Sequence, residues 1–170
     1  MKSKKNLVFL GMMGSGKSSI GSLVAKKLKL EFIDIDEEIE KNLNTTIKKI
    51  FEINGEEHFR KIEEQMTIKK LRKSSSVISL GGGAFTNKNI RKEVLKSHLS
   101  FWLNWDDKIL LGRIKNSMKR PLTVNASDNQ LIELIKKRSN IYSKALYEIK
   151  CDKLTKNEIA NKVIDIYETN

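Results

Sequence analysis

The chain has 170 residues, 33 Lys and Arg against 21 Asp and Glu, a net charge of +12 and one cysteine. This length fits one domain with a real core, a lone cysteine excludes an internal disulfide framework, and no run approaches the ~20 apolar residues needed to cross a bilayer. Lysines are scattered along the whole chain and aromatics are few, so the charge reads as a general compositional bias and not as a nucleic-acid-binding face.

The apolar run Leu7-Val8-Phe9-Leu10 predicts a first strand over 5–10. The basic start before it faintly resembles a signal peptide, but the apolar run is too short and is interrupted by glycines and Lys17. Gly11-Met12-Met13-Gly14-Ser15-Gly16-Lys17-Ser18 follows, which is G-x-x-x-x-G-K-S, the phosphate-binding loop of P-loop NTPases. A helix is predicted next over 17–29, with Ile20, Leu23, Val24 and Leu28 on one face. Glycines let backbone N–H groups turn around phosphate oxygens, and the helix N-terminus adds partial positive charge. Lys17 reaches the β- and γ-phosphates and the Ser18 hydroxyl ligates a magnesium ion. Gly11, Gly14, Ser15, Gly16, Lys17, Ser18 and Ser19 are the candidate ATP-binding residues of this segment.

A short strand at 32–34 ends in Asp34-Ile35-Asp36. A period of two puts both carboxylates on one face at the strand's carboxyl end, beside the phosphate loop in a parallel sheet. One carboxylate there can hold Mg²⁺ through its waters, and the other can accept hydrogen bonds or a proton from a hydroxyl. A cap for a helix starting at Glu37 is the competing role for Asp36. Helices are predicted over 36–43, 46–53 and 56–72, then a strand over 76–80. Gly81-Gly82-Gly83 follows it, either as a shelf where a ligand touches the main chain or as a turn needing positive φ.

A helix over 88–96, a strand over 99–103 and a helix over 106–116 come next. The charged, irregular stretch Asn116 to Ser127 holds Lys119, Arg120 and the only proline, Pro121. It is either a lid or a solvated loop. A helix over 128–145, a strand over 147–151 containing Cys151, and a helix over 156–168 complete the chain. Cys151 reads as a small buried hydrophobe, and the cytoplasm is the expected compartment. Strand and helix alternation predicts a parallel sheet with helices on both faces. Arginine is scarce beside lysine, so Arg60, Arg120 and Arg138 are candidates for a small anionic substrate, each otherwise a surface residue. His58 and His98 lack metal-ligand spacing.

In this order and at these distances the pieces resemble shikimate kinase. The resemblance rests on the loop Gly11 to Ser18, Asp34 with Asp36, Gly55-Glu56 with Phe59-Arg60 and Glu63, Leu80 to Ala84, Arg120-Pro121, and Arg138 with Tyr142. It implies a fold of the α/β class: a nucleoside-monophosphate-kinase-like P-loop domain over 1–170 with a parallel five-stranded sheet flanked by helices. Substrate-binding helices are expected over about 36–72 and a mobile lid over about 113–127. It also implies transfer of the γ-phosphate of ATP to the 3-hydroxyl of shikimate, on the route to chorismate and the aromatic amino acids. The cofactor is Mg²⁺ and the partners are ATP and shikimate, with no nucleic acid and no membrane, in a monomer.

Carried over residue by residue, the resemblance gives Lys17, Asp36 and Arg120 as catalytic, and Ser18 and Asp34 as metal-binding. Asp36, Phe51, Phe59, Arg60, Glu63, Gly81, Gly82, Gly83 and Arg138 bind the substrate, Arg60 and Arg138 facing its carboxylate. Arg113, Arg120 and Lys156 join the loop on the ATP side. The chain departs from many members at Asn140, where proline is usual, and has no proline between Asp152 and Asn157. A guanine-binding switch protein is disfavoured, because Asn87-Lys88-Asn89-Ile90 puts isoleucine where Asn-Lys-x-Asp needs a carboxylate. Nucleoside monophosphate kinases and gluconate kinases are nearer rivals, against which the two aspartates and the triple glycine argue.

Overall fold

The computed structural model describes residues 5–73, 75–117 and 125–170. Within them the chain runs β1 (Leu7–Leu10), α1 (Lys17–Leu28), β2 (Glu31–Asp34), α2 (Ile35–Leu43), α3 (Ile47–Leu71) and β3 (Ser76–Ser79). A 3-10 turn, Ala84–Thr86, precedes α4 (Lys88–Ser97), β4 (Leu99–Asn104), α5 (Asp107–Ser117), α6 (Asp128–Tyr142), β5 (Tyr147–Lys150) and α7 (Lys156–Glu168). The strands form one sheet in the order β2-β3-β1-β4-β5, and every pairing is parallel.

Each crossover helix returns the chain to the same end of the sheet, so helices cover both faces and the central strands need apolar residues throughout. Every residue of β1 and β3 is buried, as are the first five of β4. The chain leaves β1 toward β2 on one side and later places β4 on its other side. The carboxyl end of β1 is therefore where successive connections diverge, and a parallel sheet opens a ligand crevice there. Asn6 fixes the opposite end of the sheet. Its side chain donates to Leu71 O at 3.0 Å and Lys73 O at 2.7 Å and accepts from Ser76 N at 3.0 Å, while its N–H donates to His98 Nδ1 at 3.4 Å.

Three boundaries differ from expectation for identifiable reasons. The helices expected over 46–53 and 56–72 are joined end to end in α3, with Gly55 at φ 81° and ψ 172° as the kink between them. The helix expected to reach 145 stops at Tyr142, because the N–H groups of Ser143, Lys144 and Ala145 turn back onto Ser139, Ile141 and Tyr142 carbonyls. Leu146 N then donates to Ser100 Oγ at 2.9 Å, which starts β5 beside β4.

The strand expected to include Cys151 ends one residue before it, and Cys151 is fully buried. Burial, with Asp152 adding to it, pushes its thiol up to about 12. The folded protein is expected to resist Ellman's reagent at pH 8 and to react with one equivalent once unfolded in guanidinium. A rapid reaction of the native protein would contradict this burial.

Candidate active site

The phosphate loop takes its shape from positive φ at Gly14 (77°) and Gly16 (89°), with Gly16 capping the N-terminus of α1. No acidic residue stands in the first turn of that helix, so nothing competes there for its partial positive charge. Lys17 is only 6% exposed. Its Nζ donates to Gly11 O and Met12 O, each at 2.9 Å, which holds the ammonium over the mouth of the loop. Ser18 and Ser19 follow on the exposed side of the first turn.

The alternation expected for Asp34 and Asp36 is corrected. The strand ends at Asp34 and the helix starts at Ile35, so the two carboxylates do not share a strand face. Asp34, and not Asp36, is the cap. Its Oδ1 accepts from the N–H groups of Asp36 at 3.0 Å and Glu37 at 3.3 Å. Its Oδ2 accepts from Ser18 Oγ, and Ser79 Oγ lies 3.5 Å from that same hydroxyl. The Ser18 hydroxyl and the Asp34 carboxylate thus set two hard oxygens side by side at the loop, a donor type that suits Mg²⁺. Among the described residues no group of three or more His, Cys, Asp or Glu could hold a metal ion.

One cavity of about 720 Å³ joins this pair to the rest of the site: Ser18, Asp34, Asp36, Arg60, Glu63 and Arg138 all line it. Arg60 donates to Glu63 at 2.7 Å and to Glu56 at 3.1 Å. Glu63 is 2% exposed. Burial pushes its carboxyl up from the ordinary value, against the pull of Arg60, and the charge of Asp36 adds to the rise. Burial alone would lower the Arg60 pKa, but Glu63 and Glu56 more than offset it and keep the guanidinium charged. Phe51 and Phe59 flank the cavity with ring centroids 4.8 Å apart, and the Arg60 guanidinium lies 5.3 Å from the Phe59 ring.

The triple glycine does not answer to positive φ, since Gly81, Gly82 and Gly83 have none. Close approach explains it. A Cβ on Gly81 would lie 2.5 Å from Glu63 Oε1 and 2.8 Å from Asp36 Oδ1, and one on Gly83 would lie 2.5 Å from Arg60 Nη1. The site's own side chains press on the shelf where a methyl group would otherwise stand. The shelf carbonyls are tied back: Gly81 O accepts from Ala84 N at 3.0 Å, Gly82 O from the Tyr142 hydroxyl, and Gly83 O from Thr86 Oγ1 at 2.6 Å. Arg138, one helical turn before Tyr142, is 7% exposed, and both side chains reach Met12 Sδ at 3.8 Å. Met12 therefore links the phosphate loop to the shelf.

Arg113, on α5, sits over the outer side of the loop. Its Nη1 donates to Gly14 O at 3.3 Å, and its guanidinium lies 3.7 Å from the centroid of the Trp105 ring. Lys156 is the exposed first residue of α7 and makes no hydrogen bond or ion pair to the loop among the described residues. Arg120, with Lys119 and Pro121, lies outside the described residues. Sequence reasoning missed Trp105 and gave Met12 no role of its own. The signal for Trp105 was its place directly after β4, at the carboxyl end of the strand beside β1.

A phosphate loop whose Ser18 shares one cavity with Asp34, Asp36, Arg60, Glu63 and Arg138 marks a P-loop kinase of small molecules. The shikimate kinase family model matches residues 13–168. A curated shikimate kinase from Thermodesulfovibrio yellowstonii is 40% identical over 165 residues, covering 96% of this chain and 95% of that protein. The solved shikimate kinase from Acinetobacter baumannii, in complex with shikimate, superposes with a TM-score of 0.92 at 30% identity over 99% of this chain and 96% of that one. The chain belongs to the shikimate kinase family. A gluconokinase from Sinorhizobium meliloti matches with a TM-score of 0.61 at 15% identity over 99% of this chain and 94% of that one, a likeness of fold alone.

Proposed function

We propose that this chain transfers the γ-phosphate of ATP to the 3-hydroxyl of shikimate, with the work divided between the two sides of the cavity. The observation behind this reading is the set Asp36, Arg60, Glu63 and Arg138, gathered on a glycine shelf in the same cavity that Ser18 and Asp34 line. Two arginines suit a carboxylate, and a carboxylate acceptor suits hydroxyls. Arg60 and Arg138 bind the shikimate carboxylate, Asp36 accepts from its hydroxyls, Glu63 steadies Arg60, and Phe51 and Phe59 flank the ring. Gly81 and Gly83 make room for Glu63, Asp36 and Arg60 against the shelf, and Gly82 completes it for the ring.

On the other side the loop amides, Lys17, Ser18 and Ser19 hold the triphosphate. Ser18 and Asp34 would hold Mg²⁺, which would supply charge neutralisation on the phosphate oxygens. Arg113 and Lys156 serve the nucleoside end, and Arg120 serves the phosphates. Phosphoryl transfer needs mainly positioning and charge stabilisation, so Lys17 holds the moving group while Asp36 orients the hydroxyl and takes its proton. Helices over about 36–72 form the substrate side of a single domain, while the lid expected over about 113–127 includes residues 118–124, which lie outside the described residues. The reading includes a monomer in the cytoplasm, which suits the buried thiol of Cys151. No helix among the described residues is long and apolar enough to cross a membrane.

An ADP-release assay with shikimate, gluconate, AMP or no acceptor tests the reading. Release that depends on shikimate supports it. Equal turnover without an acceptor, or preference for AMP, contradicts it.

The shelf gives a second test. Gly81→Ala is expected to fold but to lose about 10²-fold in kcat/KM for shikimate, because the new methyl group displaces Glu63 and Asp36 from their places. Steady-state kinetics with a thermal melt of the same variant checks this. A folded variant with unchanged kcat/KM would show that the close approach has no bearing on the substrate.

A further inference from the structure

Trp105 is buried, immediately follows β4, and has no role in the division of labour above. Its indole Nε1–H donates to Ser15 O at 2.9 Å. The Arg113 guanidinium stacks 3.7 Å from its ring centroid and donates to the neighbouring carbonyl, Gly14 O, at 3.3 Å. Two consecutive loop carbonyls are therefore held by one stacked pair. A trans peptide is planar, with its C=O and N–H pointing in opposite directions. Holding the Ser15 C=O toward the indole directs the Gly16 N–H away from it. That N–H belongs to the N-cap of α1, where an anion is favoured.

We infer that Trp105 is a positioning residue for nucleotide binding: its N–H aims the Gly16 amide at a phosphate group, and its ring holds Arg113 beside the loop. The inference rests on the reading that this loop binds a nucleoside triphosphate. Filling of core space is the alternative role, and it would not separate nucleotide from acceptor.

Trp105→Phe keeps an aromatic ring and removes only the N–H donor. It is expected to raise the calorimetric Kd for ADP about 3- to 10-fold, the range for one lost hydrogen bond, and the KM for ATP by the same factor. Shikimate affinity is expected to stay within about twofold, since no shelf contact changes. Trp105→Leu removes the ring as well and should lose more. Trp105→Phe binding ADP as tightly as wild type would overturn the inference, as would a loss shared equally between ADP and shikimate.

A second measurement leaves residue 105 intact. The chain has two tryptophans, so Trp102→Phe leaves Trp105 as the sole tryptophan, excited selectively at wavelengths too long for tyrosine. ADP is expected to shift its emission, and no response at saturating ADP would overturn the inference. Wild-type protein that fails to bind ADP would overturn the nucleotide reading itself and this inference with it, a failure seen before any substitution is made.

Discussion

Lys17→Ala is expected to lower kcat by about 10²-fold or more, the range for removing one preorganised electrostatic stabiliser. The ammonium is held by Gly11 O and Met12 O, and in the proposed reading it stabilises the charge that moves during transfer. That charge is largest in the transition state, so the loss should fall on kcat more than on ground-state affinity. The fold should survive, because β1 and α1 are held by sheet pairing and apolar packing that do not involve this side chain. Turnover at saturating ATP and shikimate, with a thermal melt, checks both statements. A folded variant with near-normal kcat would remove Lys17 from this role.

Arg60→Ala is expected to weaken shikimate binding by about 2–4 kcal/mol, roughly 30- to 900-fold, as a charge-assisted contact whose partner is left unpaired. It should leave the binding of a non-hydrolysable ATP analogue measurably intact, since the proposed reading gives Arg60 to shikimate, and its hydrogen bonds run to Glu63 and Glu56. The substitution also strips Glu63 of its 2.7 Å partner, and Glu63 is nearly fully buried. An uncompensated buried carboxylate destabilises the fold, so the thermal midpoint should fall as well. Arg60→Lys keeps the charge without the planar fork. It should restore the midpoint more fully than the affinity. Calorimetric titration of both variants separates the effects, and unchanged shikimate affinity in Arg60→Ala would contradict the assignment.

What the sequence revealed follows from which signals are local. The phosphate loop is a contiguous segment between a strand and a helix, so Gly11 to Ser18 could be read directly, including the helix start at Lys17. Two helical patterns over 46–53 and 56–72 were legible, but not that they run end to end through a kink at Gly55. Strand-helix alternation carried the parallel sheet, but not its strand order, because that order depends on crossovers among distant segments.

The acidic pair shows how a local rule can misplace a residue that still enters the site. A period of two put Asp34 and Asp36 on one strand face, whereas the cap at Asp34 turns the chain into a helix one residue earlier. Both carboxylates nevertheless line the cavity. The triple glycine was legible as a shelf, but its cause was not. The atoms that would crowd a Cβ at Gly81 and Gly83 come from α2 and α3, which are distant in sequence. Trp105 went unread for the same reason, since its partner Ser15 is 90 residues away.

The most direct test of the central claim is the identity of the product. Incubation with ATP, Mg²⁺ and shikimate, followed by phosphorus and proton NMR, is predicted to give one phosphate monoester, at the 3-hydroxyl, in step with ADP. A phosphate on another hydroxyl, or inorganic phosphate alone beside unmodified shikimate, would contradict it.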